Sequence, residues 1–198
     1  QLQLSDRCRV KDRRQLGGYT LMERFHELIR YDPATGHFYW IALPPCQNTR
    51  AKKREIGSRA DIAHQEGVHT YRVINLFGRQ WRAHRLAWWY VHGVYPAALV
   101  DHKNNDPADN RIDNLRLATE AQNSRNTKLS KTNTSGYKGV YWCSYRNRWR
   151  AAITINSKPV QLGRFKTPEE AHAAYCAAAA RLHGEFANSG IGLINQSV

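Results

Sequence analysis

Asp101 and His102 adjoin at the end of a short apolar run, Asn114 follows His102 by twelve residues, and Asn123 follows it by twenty-one. An Asp carboxylate and an Asn amide oxygen are hard ligands that suit Mg²⁺ or Mn²⁺, with water and a phosphate oxygen completing the shell. A neutral imidazole beside such a cation can take the proton of an attacking water, provided a side chain such as the Asn114 amide fixes its tautomer. The chemistry predicted is hydrolysis of a phosphate ester. Taken singly, each of these residues also fits a surface hairpin, because such turns are rich in Asn and Asp.

The elements that must position them follow from the surrounding residues. After Val100-Asp101-His102 come Asn104, Asn105, Asp106, Pro107, Asp109 and Asn110, turn formers that end a strand at or near His102. Adjacent strand residues point to opposite faces, so Asp101 and His102 can serve one phosphate only where the strand bends or stops. Asn114-Leu115-Arg116-Leu117-Ala118 resumes an alternating pattern, and Thr119 with Gln122 forms a possible capping box for a helix that carries Asn123.

Asp101-His102, the D-N-R-x-x-N-L segment from Asp109 to Leu115, Leu117-Ala118-Thr119 and Gln122-Asn123 together resemble the HNH nuclease family. The resemblance implies a ββα-metal site that hydrolyses phosphodiesters with one divalent cation. Carried over residue by residue, His102 would be the general base, Asn114 its positioner, and Asp101 and Asn123 the metal ligands. Many members have His at the last position. Asn123 matches the phage and intron-encoded subgroup and favours Mg²⁺ or Mn²⁺ over softer metals. The His-Arg-Leu-Ala-Trp run from His84 extends the likeness back to about residue 84, and more weakly to residue 31. His84 itself either contacts the scissile phosphate or ties a hairpin to the following helix.

Composition bounds the partners. The chain has 198 residues, 41% of them hydrophobic, enough for one large or two small domains with real cores. A formal charge of +14 points to a polyanion, nucleic acid before an anionic membrane surface. No apolar run approaches the roughly 18 residues a span needs, and no secretory signal is visible. The four cysteines, Cys8, Cys46, Cys143 and Cys176, are too widely spaced for a zinc knuckle. We therefore expect a reduced cytoplasmic setting and no structural zinc.

Upstream, residues 1–19 read as a mobile basic arm. An amphipathic helix is predicted from Leu21 until Asp32-Pro33 ends it, then a strand from His37 to Ile41. Residues 46–67 read as a long polar loop, residues 71–84 as a hairpin around Phe77-Gly78-Arg79, and Leu86–Gly93 as a helix stopped by Gly93.

Downstream, Thr127–Ser135 reads as an extended basic linker, and from Ala121 to Lys166 there are ten Lys or Arg and no Asp or Glu. Charge segregated on that scale implies a surface lying along phosphates. Three strands are predicted at 139–142, 149–155 and 160–165, then a helix from about Pro168 to His183 with Ala171, Ala174, Tyr175, Ala178 and Leu182 on its inner stripe. One sheet face is then covered and the other is free to enter a major groove.

Residues 135–188 resemble the plant ethylene-response-factor (Apetala-type) DNA-binding domain. The matching pieces are Tyr137-Lys138-Gly139-Val140, Trp149 to Ile153, Leu162 to Phe165, Thr167 to Ala171, Ala174-Tyr175, Ala178-Ala179, Gly184 and Asn188. The resemblance implies DNA contacts at Lys138, Tyr141, Arg148, Thr154 and Gln161, with Arg146 and Arg150 as additions. Tyr141, Thr154 and Gln161 depart from the plant pattern, so the docking mode transfers and the sequence preference does not.

These readings combine into an α+β protein: a β-rich N-terminal region leading into a ββα-metal nuclease fold, then a three-stranded antiparallel sheet on one helix. The expected divisions are 1–19 arm, 20–126 nuclease with its ββα core at 99–126, 127–135 linker, 136–188 DNA-binding domain and 189–198 tail. The expected function is a homing-type DNA endonuclease acting on double-stranded DNA, nicking as a monomer. The alternatives are a DNA-binding protein that keeps the nuclease fold only as scaffold, or a nuclease of phage packaging or restriction.

Overall fold

The computed structural model describes residues 23–44, 54–130, 132–156 and 158–190. The arm expected at 1–19, residues 21–22 of the expected helix, residues 46–53 of the expected polar loop, and residues 191–198 of the expected tail lie outside the described residues. The chain divides into two compact units, one of residues 1–102 with 106–117, the other of 103–105 with 118–198.

The first unit starts with α1 (Glu23–Leu28) and passes directly into β1 (Ile29–Asp32), which pairs antiparallel with β2 (His37–Trp40). The predicted helix therefore stops at Leu28 rather than at Asp32. Ile29, 1% exposed, is buried as a strand residue opposite Trp40. Phe25 is fully buried, with the rings of Phe77, Trp81 and Trp89 edge-on to it at 5.3, 5.1 and 6.2 Å. Its removal leaves a cavity that costs about 3–5 kcal/mol.

β3 (Ile62–Glu66), β4 (His69–Leu76) and β5 (Arg79–Arg82) form an antiparallel sheet in that order. The expectation of a loop through residue 67 is thus corrected. The strand was hidden because β3 is an edge strand with four of its five residues exposed, so it lacks an alternating apolar signal. Asp61, just before it, fixes the edge: its carboxylate accepts from the Phe38 amide and from the Arg59 and Arg72 guanidiniums. Burial pushes that carboxyl up, yet the two guanidiniums and the amide outweigh it and hold it below the usual range.

α2 (Ala83–His92) follows β5 without a loop, and Gly93 closes it by donating its N–H to the Trp89 carbonyl at 2.8 Å. Leu86, Ala87 and Trp89 face the core with Ile74 and Leu76 of β4. β6 (Leu99–His102) and β7 (Leu115–Ala118) then form a two-stranded sheet.

The second unit contains α3 (Glu120–Arg125), which has the predicted capping box. The Thr119 hydroxyl accepts from the Gln122 amide and the Gln122 side chain accepts from the Thr119 amide. β8 (Val140–Cys143), β9 (Arg148–Ile155) and β10 (Lys158–Phe165) make the predicted antiparallel sheet, with β9 central and a bulge between Gln161 and Gly163. α4 (Pro168–His183) covers one face through Ala171, Tyr175, Ala178 and Ala179 against Val140, Ala151 and Ile153. Leu182, predicted on this stripe, is exposed, and His172 is buried instead. Gly139 makes the close approach possible: a Cβ there would lie 2.2 Å from the Tyr175 ring.

Candidate active site and nucleic-acid interface

β6 ends at His102, as the turn residues demand, and the last two residues of the strand are both buried. The Asp101 carboxylate is gripped across the sheet by Arg116, whose Nε donates to Oδ2 at 2.9 Å. The alternation predicted for β7 is therefore reversed in part: Arg116 points inward and Leu117 is exposed. The carboxylate that the facing strand supplies offsets the cost of burying the guanidinium.

His102 Nε2 lies 3.1 Å from the Asn110 side-chain oxygen. The Asn110 amide nitrogen donates to the Ala108 carbonyl at 3.4 Å, which turns its oxygen toward the ring. This pairing places the proton on Nε2 and makes Nδ1 the basic nitrogen of the imidazole. Burial pushes the His102 imidazole below its ordinary value, outweighing the upward pull of Asn110 and of Asp101, Asp106 and Asp109. The ring is consequently neutral at neutral pH, the form a general base needs.

From sequence alone Asn110 reads only as a turn former and as part of the D-N-R motif. It is 1% exposed, and its surroundings hold it from two sides. The Tyr31 hydroxyl donates to its backbone carbonyl at 2.7 Å, and the β1–β2 turn packs directly on it. A Cβ on Gly36, whose φ is +73°, would sit 2.4 Å from the Arg111 nitrogen and 2.5 Å from the Asn110 carbonyl carbon. Only glycine fits there. Asn114 braces the same loop, donating from its side chain to the Asp109 carbonyl at 2.8 Å.

His84, the first-turn residue of α2, is buried with its ring 5.1 Å from that of His102. Its Nδ1 has no hydrogen-bond partner among the described residues. Burial, with the nearby His102, Arg85 and Arg82, pushes its imidazole down to about 3, so it stays neutral beside His102. Among the described residues no cluster of three His, Cys, Asp or Glu could hold a metal. The chemistry of the proposed donors, one carboxylate and amide oxygens, still fits a hard cation that keeps water in its shell. Asn123 lies on α3 and belongs to the second unit.

On the open face of the second unit's sheet, three residues predicted to touch DNA form one network. Arg150 Nε donates to the Gln161 side-chain oxygen at 3.1 Å, Gln161 donates to the Tyr141 hydroxyl at 2.8 Å, and the Arg150 guanidinium lies over the Tyr141 ring at 5.3 Å. Arg146, Arg148 and Thr154 are exposed. Lys138 differs, for its ammonium donates to the carbonyls of Arg125 and Thr127 at 2.9 and 2.6 Å. Two exposed aromatics were not singled out from sequence: Tyr145, stacked under Arg146, and Trp142. The signal in the sequence is aromatic residues interleaved with arginines, Trp142 and Tyr145 beside Arg146 and Arg148.

The HNH endonuclease family model matches residues 82–125 and the AP2 domain model matches residues 135–185. The chain is 36% identical over 107 residues to Protein 3.8 of Escherichia phage T7, covering 54% of this chain and 88% of that protein. It is 36% identical over 98 residues to an uncharacterized HNH endonuclease of Acanthamoeba polyphaga mimivirus, covering 49% of this chain and 50% of that protein. No solved structure matches the chain. No described helix is long and apolar enough to cross a membrane.

Proposed function

The chain belongs to the HNH endonuclease family and carries a C-terminal AP2 domain, and from this we propose that it is a homing-type DNA endonuclease that nicks double-stranded DNA as a monomer. The observation that carries the reading is the His102–Asn110 pairing, which presents a neutral imidazole with Nδ1 as its basic nitrogen. A divalent cation, Mg²⁺ or Mn²⁺, held by Asp101 and Asn123 would supply positive charge to the scissile phosphate. His102 Nδ1 takes the proton from the attacking water. Asn110 holds the Nε2 proton as the ring becomes imidazolium, and Asn114 acts on His102 by bracing the loop that delivers Asn110. His84 remains neutral and so places no charge against that imidazolium. The products are a 5′-phosphate and a 3′-hydroxyl.

In the same reading the AP2 sheet selects the site through Tyr141, Arg150 and Gln161, with Arg146, Arg148 and Thr154 along the strand backbones. Separating base reading from phosphate chemistry allows a long target with little selectivity demanded of the nuclease. A single active site cuts one strand per visit.

A second reading draws on Arg116. A guanidinium already on Asp101 suits a protein that keeps the nuclease fold as scaffold and only binds DNA. Cleavage of a random plasmid library in Mg²⁺ or Mn²⁺, with bound and cut positions mapped on the same molecules, separates the two. The endonuclease reading predicts a nick at a fixed offset from the bound sequence. Binding without any cut in either metal supports the scaffold reading.

A further inference from the structure

Helix α3 is six residues long, and α-helices of that length do not hold themselves together in water. Its C-terminal end is held by a set of contacts that the predicted linker and the predicted DNA contact at Lys138 do not explain. Lys138 spans the end of the helix, with its ammonium on the Arg125 and Thr127 carbonyls. Asn188, beyond α4, donates to both the backbone and side-chain oxygens of Asn126 at 2.9 and 3.2 Å. The Gly190 amide donates to Asn188 Oδ1 at 2.7 Å, which turns the Asn188 amide nitrogen toward Asn126.

From this geometry we infer that Lys138 and Asn188 are positioning residues that fasten α3, and with it Asn123, to the AP2 domain. The inference rests on the reading of Asn123 as a metal ligand. Three further observations support the fastening. Asn126 is 3% exposed, so its bonds are shielded from competing water. Its side-chain oxygen also accepts from Asn105 at 3.1 Å, and Asn105 lies three residues after His102 in the chain. Burial pushes the Lys138 ammonium down, as expected of a cation committed to carbonyls rather than to solvent. A cation at a helix C-terminus also meets the negative end of its dipole.

The consequence is functional. Asn123, the proposed cation ligand, lies on the same unit as the sheet proposed to read the target, so loosening these bonds loosens that ligand. The base-reading network of Tyr141, Arg150 and Gln161 is separate from these bonds and survives their loss.

The test uses the full chain with Lys138→Met and, because that change removes a half-buried charge, Asn188→Ala as a second variant. Three quantities are read: hydrogen exchange of the 120–126 amides, DNA affinity by anisotropy across a salt series, and the Mn²⁺ concentration for half-maximal cleavage. The inference predicts exchange faster by about tenfold or more, DNA affinity within about twofold with an unchanged salt slope, and about tenfold more Mn²⁺ required. Lys138→Arg, which can still donate to two carbonyls, restores much of the protection. Unchanged α3 exchange with weaker DNA binding and a salt slope reduced by about one would overturn it, making Lys138 a phosphate contact. If the wild-type protein cuts nothing, the endonuclease reading fails, while exchange and salt slope still decide the fastening.

Discussion

Arg116 and Asp101 face each other across β6 and β7 as a buried ion pair, guanidinium Nε to carboxylate Oδ2 at 2.9 Å. Removing one partner leaves the other buried without its opposite charge, which costs more than the pair contributes. Arg116→Met is therefore expected to destabilise the protein by about 3–5 kcal/mol in chemical denaturation. The double variant Asp101→Asn with Arg116→Met should recover much of that loss, and a fully additive pair would argue against the coupling.

Asn110 is 1% exposed and its side-chain oxygen meets His102 Nε2 at 3.1 Å, so its removal should reach the imidazole before it reaches a docked duplex. Asn110→Ala should lower the cleavage rate by about ten- to a hundredfold while leaving DNA affinity within about twofold. Matching losses in rate and affinity would mean that the change disturbed docking and not the imidazole.

Gly36 supports that same loop from below. Gly36→Ala adds a methyl that would lie 2.4 Å from the Arg111 nitrogen, in a left-handed conformation at φ +73°. The backbone penalty alone is about 1 kcal/mol, and the clash adds to it. Thermal melting should show a clear loss, with cleavage falling more than DNA binding because the Asn110 loop is displaced.

His84 makes stability depend on pH in a defined direction. Its folded-state value is pushed down to about 3 from the ordinary 6.5, so the unfolded chain binds a proton that the folded chain refuses between those values. Stability attributable to His84 is flat above about pH 6.5 and is lost as pH falls from there toward 3, by up to about 1.4 kcal/mol per pH unit. Urea titrations at pH 7 and pH 5 should show a larger loss for wild type than for His84→Leu. Parallel losses would place the titrating group elsewhere.

Arg150 is held in one orientation by Gln161 and Tyr141, and the proposed reading makes it a base contact. Arg150→Ala should relax base preference at one position by about 1–3 kcal/mol in a binding-site selection. Gln161→Ala should blur the same position, since it frees the guanidinium. A uniform drop across all sequences would make Arg150 a phosphate contact.

The sequence carried the periodic and capped elements well. The Thr119–Gln122 box, the two strands around the Asn-rich turn and the three-strand, one-helix AP2 pattern all stand where their residues predict. What it hid were polar residues turned inward by partners distant in the chain. Arg116 reads as an outward residue until Asp101 is seen opposite it, and Asn110 reads as a turn former until His102 and Tyr31 close on it. Lys138 sits in a basic stretch that invites a phosphate, and only the fold brings two helix-end carbonyls to its ammonium. β3 escaped for the opposite reason, since an exposed edge strand bears little apolar pattern.

In the proposed reaction His102 is the base of a cation-dependent hydrolysis. Single-turnover cleavage of a mapped target, compared between the wild-type and His102→Ala proteins at equal DNA occupancy, tests it most directly. Wild type should cut only with Mg²⁺ or Mn²⁺ present, and the variant at a rate at least about a hundredfold lower. Equal rates in the two proteins, or wild-type cutting undiminished in excess chelator, would contradict it.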